Sequence, residues 1–250
     1  MKIKFLGTGH GIPDADRFCS ATMIEVGDAI YIIDAGAPLL ETLLKAGKDP
    51  QKVRAIFITH THADHIGGLY GYLSAANWFY KKAAPTVYMP DRKEWDLLSQ
   101  LIAYVGDRPV DESRIRWSGV REGLFYEDEN IRIFASSTQH LQQVGRPSYS
   151  FLVEAEEKKI VFSGDLSQWL EEADYPAAAM EQETDMVICE FAHFTPEQIE
   201  PYMEKTRTKQ FWFNHVGLSK KFDRFEAMRL LGEKMPYPVF AARDGDEITM

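Results

Sequence analysis

Short apolar runs recur along the chain, and glycine, proline, asparagine and aspartate separate them. Their content of β-branched and aromatic residues is typical of strands. Two of these runs flank Gly27-Asp28, a pair that predicts a hairpin turn. In chain order, the predicted strands are Lys2–Leu6, Ala21–Val26, Ala29–Ile33, Val53–Ile58, Thr86–Met89, Ile115–Val120, Leu124–Glu127, Ile131–Ser136, Tyr149–Glu154, Lys159–Ser163, Met186–Glu190, Gln210–Asn214, Val239–Ala241 and Glu247–Met250.

Other segments repeat apolar residues at helical spacing, as Leu69, Leu73 and Ala76 do. The predicted helices are Pro38–Ala46, Gly67–Tyr80, Asp91–Tyr104, Pro196–Thr206 and Phe222–Lys234. Strands and helices thus recur in two halves, and the hairpins between them need antiparallel neighbours. This order predicts an α/β protein, a four-layer αβ/βα sandwich with mixed β-sheets, in one domain over residues 1–250.

Composition narrows the partners. Hydrophobic residues make up 45% of the chain, enough for a substantial core. The formal net charge of −10 disfavours a long nucleic-acid footprint, because phosphate contacts need Lys and Arg. Two cysteines, Cys19 and Cys189, are too few for a disulfide scaffold. No apolar run approaches the roughly 20 residues of a membrane span, so we expect a cytoplasmic protein with no membrane partner.

The candidate chemistry lies in a cluster of histidines. Three of the seven histidines, together with Asp64, fall in the six residues His60-Thr61-His62-Ala63-Asp64-His65. Imidazole and carboxylate are ligands that zinc and similar metals accept. In a tight turn His60 and His62 can face one ion while Asp64 and His65 face another. The spacing therefore predicts a site for two ions.

Further ligands are expected where other predicted strands end, at His140, Asp165 and His215. A single histidine after a strand is more often structural, but ions at the cluster need ligands from elsewhere in the chain. Asp165 can offer one oxygen to each ion. The predicted ligands of the first ion are His60, His62, His140 and Asp165, and those of the second are Asp64, His65, Asp165 and His215.

These motifs resemble those of the metallo-β-lactamase superfamily. His60–His65 is its signature motif, Gly67-Gly68 fits the usual flank, and Asp34-Ala35-Gly36 matches its Asp-x-Gly. Within the superfamily the chain is similar to the ribonuclease Z branch, in the opening Phe5–Pro13 and in the late His215. The resemblance implies a metal-dependent hydrolase in which a hydroxide bridging two divalent ions attacks the substrate. Zinc is the expected metal, and manganese or iron would suit the same ligands.

The resemblance also suggests roles for three other positions. Asp64 would orient the hydroxide as well as bind metal. Glu190 and His193 look like the branch's glutamate-bearing strand and His-x-Thr segment, in which the histidine is a proposed proton donor. The alternative is that Thr195 caps the following helix and His193 packs beside it. Asp34 is expected to hold the metal-binding loop in place.

Two departures concern the substrate. Ribonuclease Z enzymes that process tRNA carry a basic arm, which in many bacterial members lies between the counterparts of His140 and Asp165. Here only 24 residues separate those positions, and Lys158-Lys159 falls in a predicted hairpin. Together with the acidic charge, this disfavours folded tRNA and favours a small phosphodiester, a cyclic nucleotide-like species or a short nucleic-acid end.

Other readings stay open at this point. A carboxylic ester, lactone or thioester could be the substrate of the same fold, or the chain could be a metal-bound sensor without turnover. Iron-based redox chemistry is disfavoured, because a glutamate is expected within the motif where Ala63-Asp64 stands. A homodimer is compatible with the resembling branch.

Overall fold

Alternating strands and helices build two units of the chain, Met1–Val120 with Asp244–Met250 and Arg121–Arg243. The computed structural model describes residues 1–12, 14–217, 219 and 222–250, so Pro13 of the opening motif lies outside the described residues. Among the helices of those residues, none is long and apolar enough to cross a membrane. The single domain over residues 1–250 stays a prediction.

The first unit contains one seven-stranded sheet. Its order is β14-β1-β2-β3-β4-β5-β6, antiparallel from β14 to β3 and parallel from β3 to β6. The strands are β1 (Lys2–Gly7), β2 (Ala21–Val26), β3 (Ala29–Ile33), β4 (Val53–Phe57), β5 (Thr86–Met89), β6 (Arg116–Gly119) and β14 (Glu247–Thr249), and the helices are α1 (Leu39–Lys45), α2 (Ala63–Ile66), α3 (Leu69–Trp78) and α4 (Arg92–Val105).

The core of this unit forms where the apolar stripes of its helices meet the sheet. Leu43, Tyr72 and Trp95, one each from α1, α3 and α4, are buried in one cluster with strand residues such as Ile56. The Tyr72 hydroxyl donates a 2.9 Å hydrogen bond to the Pro50 carbonyl oxygen, so its polar end is satisfied inside the core.

The second unit also contains a seven-stranded sheet. Its order is β13-β12-β11-β10-β9-β8-β7, parallel from β13 to β10 and antiparallel from β10 to β7. The strands are β7 (Gly123–Glu127), β8 (Arg132–Ser137), β9 (Tyr149–Ala155), β10 (Lys158–Phe162), β11 (Met186–Phe191), β12 (Phe211–Val216) and β13 (Val239–Ala241), and the helices are α5 (Ala177–Glu181), α6 (Pro196–Lys205) and α7 (Arg224–Lys234).

The predicted α/β class with mixed sheets is confirmed in both units. The sequence did not reveal α2 and α5, because helices of 4 and 5 residues are too short to show a helical period. The predicted hairpin at Lys158-Lys159 is present, since Lys158 pairs with Ala155 across a turn at Glu156 and Glu157.

Parallel pairing gathers the candidate side chains at strand ends. The carboxyl ends of parallel strands lie at the same edge of a sheet. In the first unit Asp34 follows β3 and His60 follows β4. In the second, Asp165 follows β10, His193 follows β11 and His215 lies near the end of β12.

Candidate metal centre

The segment from His60 to His65 runs from the carboxyl end of β4 into the short helix α2. His60 Nε2 lies 3.0 Å from His62 Nδ1, and the rings of His60 and His65 are 4.0 Å apart between centroids. His60 and His65 are buried. The three imidazoles that the sequence predicted as ligands therefore converge within the first unit.

Asp34 orients this cluster, as the sequence led us to expect. Its Oδ2 lies 2.8 Å from His65 Nδ1, and its Oδ1 accepts a 2.8 Å hydrogen bond from the Thr59 backbone N–H. With Nδ1 engaged by a carboxylate, Nε2 is the ring nitrogen left for a ligand role, and it lies 3.6 Å from Asp64 Oδ2. A buried carboxylate thus fixes both the ring orientation of His65 and the start of the loop.

Gly36 allows the Asp34 turn to pack directly on this loop. A Cβ at Gly36 would lie 2.5 Å from the Cys19 carbonyl carbon and closer still to the Asp64 carbonyl oxygen. The Ala35 backbone N–H donates a 2.7 Å hydrogen bond to the His65 carbonyl oxygen. The glycine of the Asp-x-Gly motif is therefore required by close backbone approach.

In the second unit three histidines surround one carboxylate oxygen. Asp165 Oδ2 lies 3.2 Å from His215 Nε2, 3.7 Å from His140 Nε2 and 3.8 Å from His193 Nδ1. Asp165 and His215 are buried. Burial also lowers the pKa of His140, although the charge of Asp165 opposes this, and a lowered pKa favours the neutral imidazole that binds metals.

His193 is held by Glu190. Glu190 Oε1 lies 2.9 Å from His193 Nδ1, and Oε2 accepts hydrogen bonds from the backbone N–H groups of Ala192 and His193 at 2.6 and 3.2 Å. Burial raises the pKa of Glu190, but the charge and the hydrogen bond of His193 outweigh it and leave the pKa below its ordinary value. Thr195 is the N-cap of α6, as the alternative reading expected, and it does not displace the Glu190–His193 pair.

Asp174 is a member of the site that the sequence did not reveal. This buried carboxylate accepts 2.6 Å hydrogen bonds from the backbone N–H groups of Gln139 and Ser167. Those residues are neighbours of His140 and Asp165 in the chain, so Asp174 joins the two loops that carry them. Burial raises its pKa, and the two backbone hydrogen bonds oppose that rise. Nothing periodic in the sequence around it signals this role.

The donor chemistry of each unit fits divalent metals. One ligand atom from each of Asp165, His193 and His215 lies within 4.8 Å of the others. In the first unit the donors are likewise imidazole nitrogens with a carboxylate beside them. Buried groups of this kind are the nitrogen and oxygen ligands that zinc, manganese and iron accept.

Residues 1–227 match the family described as Anti-Pycsar protein Apyc1. The chain belongs to this family. Ribonuclease Z of Anoxybacillus flavithermus (strain DSM 21510 / WK1) is 30% identical over 167 residues, which cover 61% of this chain and 48% of that relative. The chain spans about half the length, or less, of the curated ribonucleases Z that it matches.

Two solved structures share the fold of the family member described above. The metallo-β-lactamase fold protein YhfI from Bacillus subtilis has a TM-score of 0.79 at 17% identity and covers 99% of each chain. The short form of human tRNase Z has a TM-score of 0.74 at 20% identity, covering 100% of this chain and 99% of the other. The predicted metallo-β-lactamase fold and the ribonuclease Z-like resemblance are both confirmed.

Proposed function

We propose that this chain is a metal-dependent hydrolase of small phosphodiesters that works with two divalent ions. The observation that carries the proposal is the gathering of His140, His193 and His215 around the Asp165 carboxylate. The histidine cluster that starts at His60 is its counterpart in the first unit. Assigning both clusters to one binuclear centre rests on the family resemblance of the motifs.

The ligand assignment follows the sequence. The first ion takes His60, His62, His140 and Asp165, and the second takes Asp64, His65, Asp165 and His215. Bound divalent ions would supply Lewis acidity, which polarises a phosphoryl oxygen and makes water a stronger nucleophile near neutral pH. Zinc is proposed first, because imidazole nitrogens dominate the donor set.

His193 and Glu190 complete the proton balance. In hydrolysis the water oxygen forms a bond to phosphorus, and the bond from phosphorus to the leaving oxygen breaks. The water gives up one proton, and the leaving oxygen takes one. We assign that second proton to His193 Nε2, because Nδ1 is held by the Glu190 carboxylate, which also stabilises the charged imidazolium. Asp64, beside His65, would orient the attacking water.

Two features support a small substrate over folded tRNA. Between His140 and Asp165 the chain consists of a short 3-10 turn (Gln142–Val144) and the hairpin of β9 and β10, which leaves no room there for a protruding arm. The net charge of −10 would repel a long polyanion away from the metals. The relatives named ribonuclease Z support phosphodiester chemistry over lactone or thioester hydrolysis.

Metal analysis together with a substrate panel tests this proposal. Zinc- or manganese-replete protein is assayed with bis-p-nitrophenyl phosphate, purine and pyrimidine cyclic 3′,5′-monophosphates, a precursor tRNA and a lactone. We expect turnover of the phosphodiesters alone, lost in Asp165→Asn and kept in the matched control Asp28→Asn, whose side chain is exposed. Turnover of the lactone alone would support the ester-hydrolase reading, and metal-replete protein inert to the whole panel would support a sensor.

A further inference from the structure

The backbone turn that carries His193 is fixed from its donor side by Glu190. The Glu190 carboxylate accepts hydrogen bonds from the backbone N–H groups of Ala192 and His193 and contacts the His193 ring. These contacts set the side chain against one side of the turn. They leave the carbonyl groups of the same turn to be held by something else.

Arg224 holds those carbonyl groups. Its Nη2 donates a 2.8 Å hydrogen bond to the Ala192 carbonyl oxygen, and its Nη1 donates a 3.0 Å hydrogen bond to the Phe194 carbonyl oxygen. The two acceptors lie on either side of His193 in the chain. One planar guanidinium therefore spans the residue that carries the imidazole, a geometry that a single ammonium group cannot reproduce.

The guanidinium is itself fixed in place. Its Cζ lies 4.8 Å from the ring centroids of both Phe191 and Phe222, and Arg224 is buried. Arg224 is the first residue of α7, whose N-cap Asp223 accepts hydrogen bonds from the N–H groups of Phe225 and Glu226. The start of α7 therefore places a rigid, charged fork against the His193 turn.

We propose that Arg224 is a positioning residue for His193, holding its backbone so that Nε2 faces the leaving group of a bound phosphodiester. The inference rests on the proposed function, in which His193 is the general acid. Arg224 touches neither substrate nor metal ligand in this account. Its effect should therefore grow with the need of the leaving group for a proton.

The test compares two esters of one nucleotide, the p-nitrophenyl and the phenyl ester of thymidine 5′-phosphate. p-Nitrophenolate leaves readily without a proton, whereas phenolate benefits from one. We expect Arg224→Lys to slow the phenyl ester roughly 10- to 100-fold more than the p-nitrophenyl ester, because a small misplacement of a catalytic group is costly. Metal content should stay at the wild-type level.

A matched control and a second readout separate positioning from general damage. Arg229→Lys changes an exposed arginine of the same helix and should alter neither ester. Hydrogen–deuterium exchange in the peptide around His193 should rise in Arg224→Lys but not in Arg229→Lys. Phe222→Leu, which removes one ring from the guanidinium and leaves Arg224 in place, should give a weaker change in the same direction if Arg224→Lys folds poorly.

The outcomes are distinguishable. Wild-type protein that cleaves neither ester overturns the proposed function and this inference with it. Active wild-type protein whose ester ratio and exchange are unchanged in Arg224→Lys overturns the role of Arg224 alone. Loss of metal in parallel with activity in that variant also contradicts it, because the effect would then run through the metal ligands.

Discussion

Glu190 Oε1 lies 2.9 Å from His193 Nδ1, a contact that leaves Nε2 as the imidazole nitrogen free of that carboxylate. If His193 protonates the leaving group, His193→Ala removes the proton donor and leaves the predicted metal ligands in place. We expect turnover of a cyclic phosphodiester to fall by about 10²- to 10⁴-fold, with metal content at the wild-type level. Steady-state kinetics and metal analysis on the same preparation check this, and an unchanged rate would end the catalytic role of His193.

Asp174 joins the loops of His140 and Asp165 through two backbone N–H groups. In Asp174→Asn an amide NH₂ must face one of these donors, so a buried hydrogen bond is lost. We expect the free energy of unfolding to fall by about 1–3 kcal/mol, and the apparent metal affinity to weaken because both loops carry predicted ligands. Denaturant titration and chelator competition measure the two effects. Asp28→Asn is the control, and equal behaviour of the two variants would contradict the account.

Gly36 and Gly71 offer a matched pair of glycine substitutions. A Cβ at Gly36 would meet the backbone of Cys19 and Asp64, so Gly36→Ala should displace the metal-binding loop and lower both stability and metal affinity. At Gly71, inside α3, a Cβ meets nothing within 4 Å, so Gly71→Ala should raise stability by up to about 1 kcal/mol through helix propensity. Thermal unfolding of the two variants checks the contrast, which fails if both shift in the same direction.

Removal of a predicted ligand should separate metal binding from folding. His62→Ala and Asp165→Ala are each expected to lower metal stoichiometry and abolish turnover. In the wild type, added zinc should raise the melting temperature, because a ligand that binds only the folded state stabilises it. That response should be weak or absent in both variants. A variant that retains full metal content would remove its residue from the ligand set.

The sequence predicted those parts of the fold and site whose signal is local. The strands that end before His60 and Asp165 are short apolar runs, and the His60–His65 cluster needs no distant partner to be recognised. Asp174 and Arg224 escaped prediction because their partners are backbone atoms 35 and 30 residues away, at Gln139 and Phe194. A contact to a carbonyl or N–H group leaves no mark on the identity of the partner residue.

The short helices escaped prediction for a different reason. Helix α2 follows directly on the histidine cluster, and the residues His62–His65 are chosen for their side chains as much as for helix propensity. Its 4 residues show no amphipathic period. Its presence still matters to the site, because it places the side chains of Asp64 and His65 side by side, 3.6 Å apart.

The central claim is that phosphodiester hydrolysis depends on the metals held by the histidine–carboxylate clusters. The most direct test is to measure cyclic phosphodiester turnover against metal occupancy, as the purified protein is stripped with a chelator and then titrated with zinc or manganese. The account predicts that activity disappears with the metal and returns in proportion to it, reaching its maximum at two ions per chain. Full turnover by the stripped protein, or none by the reloaded protein, would contradict it.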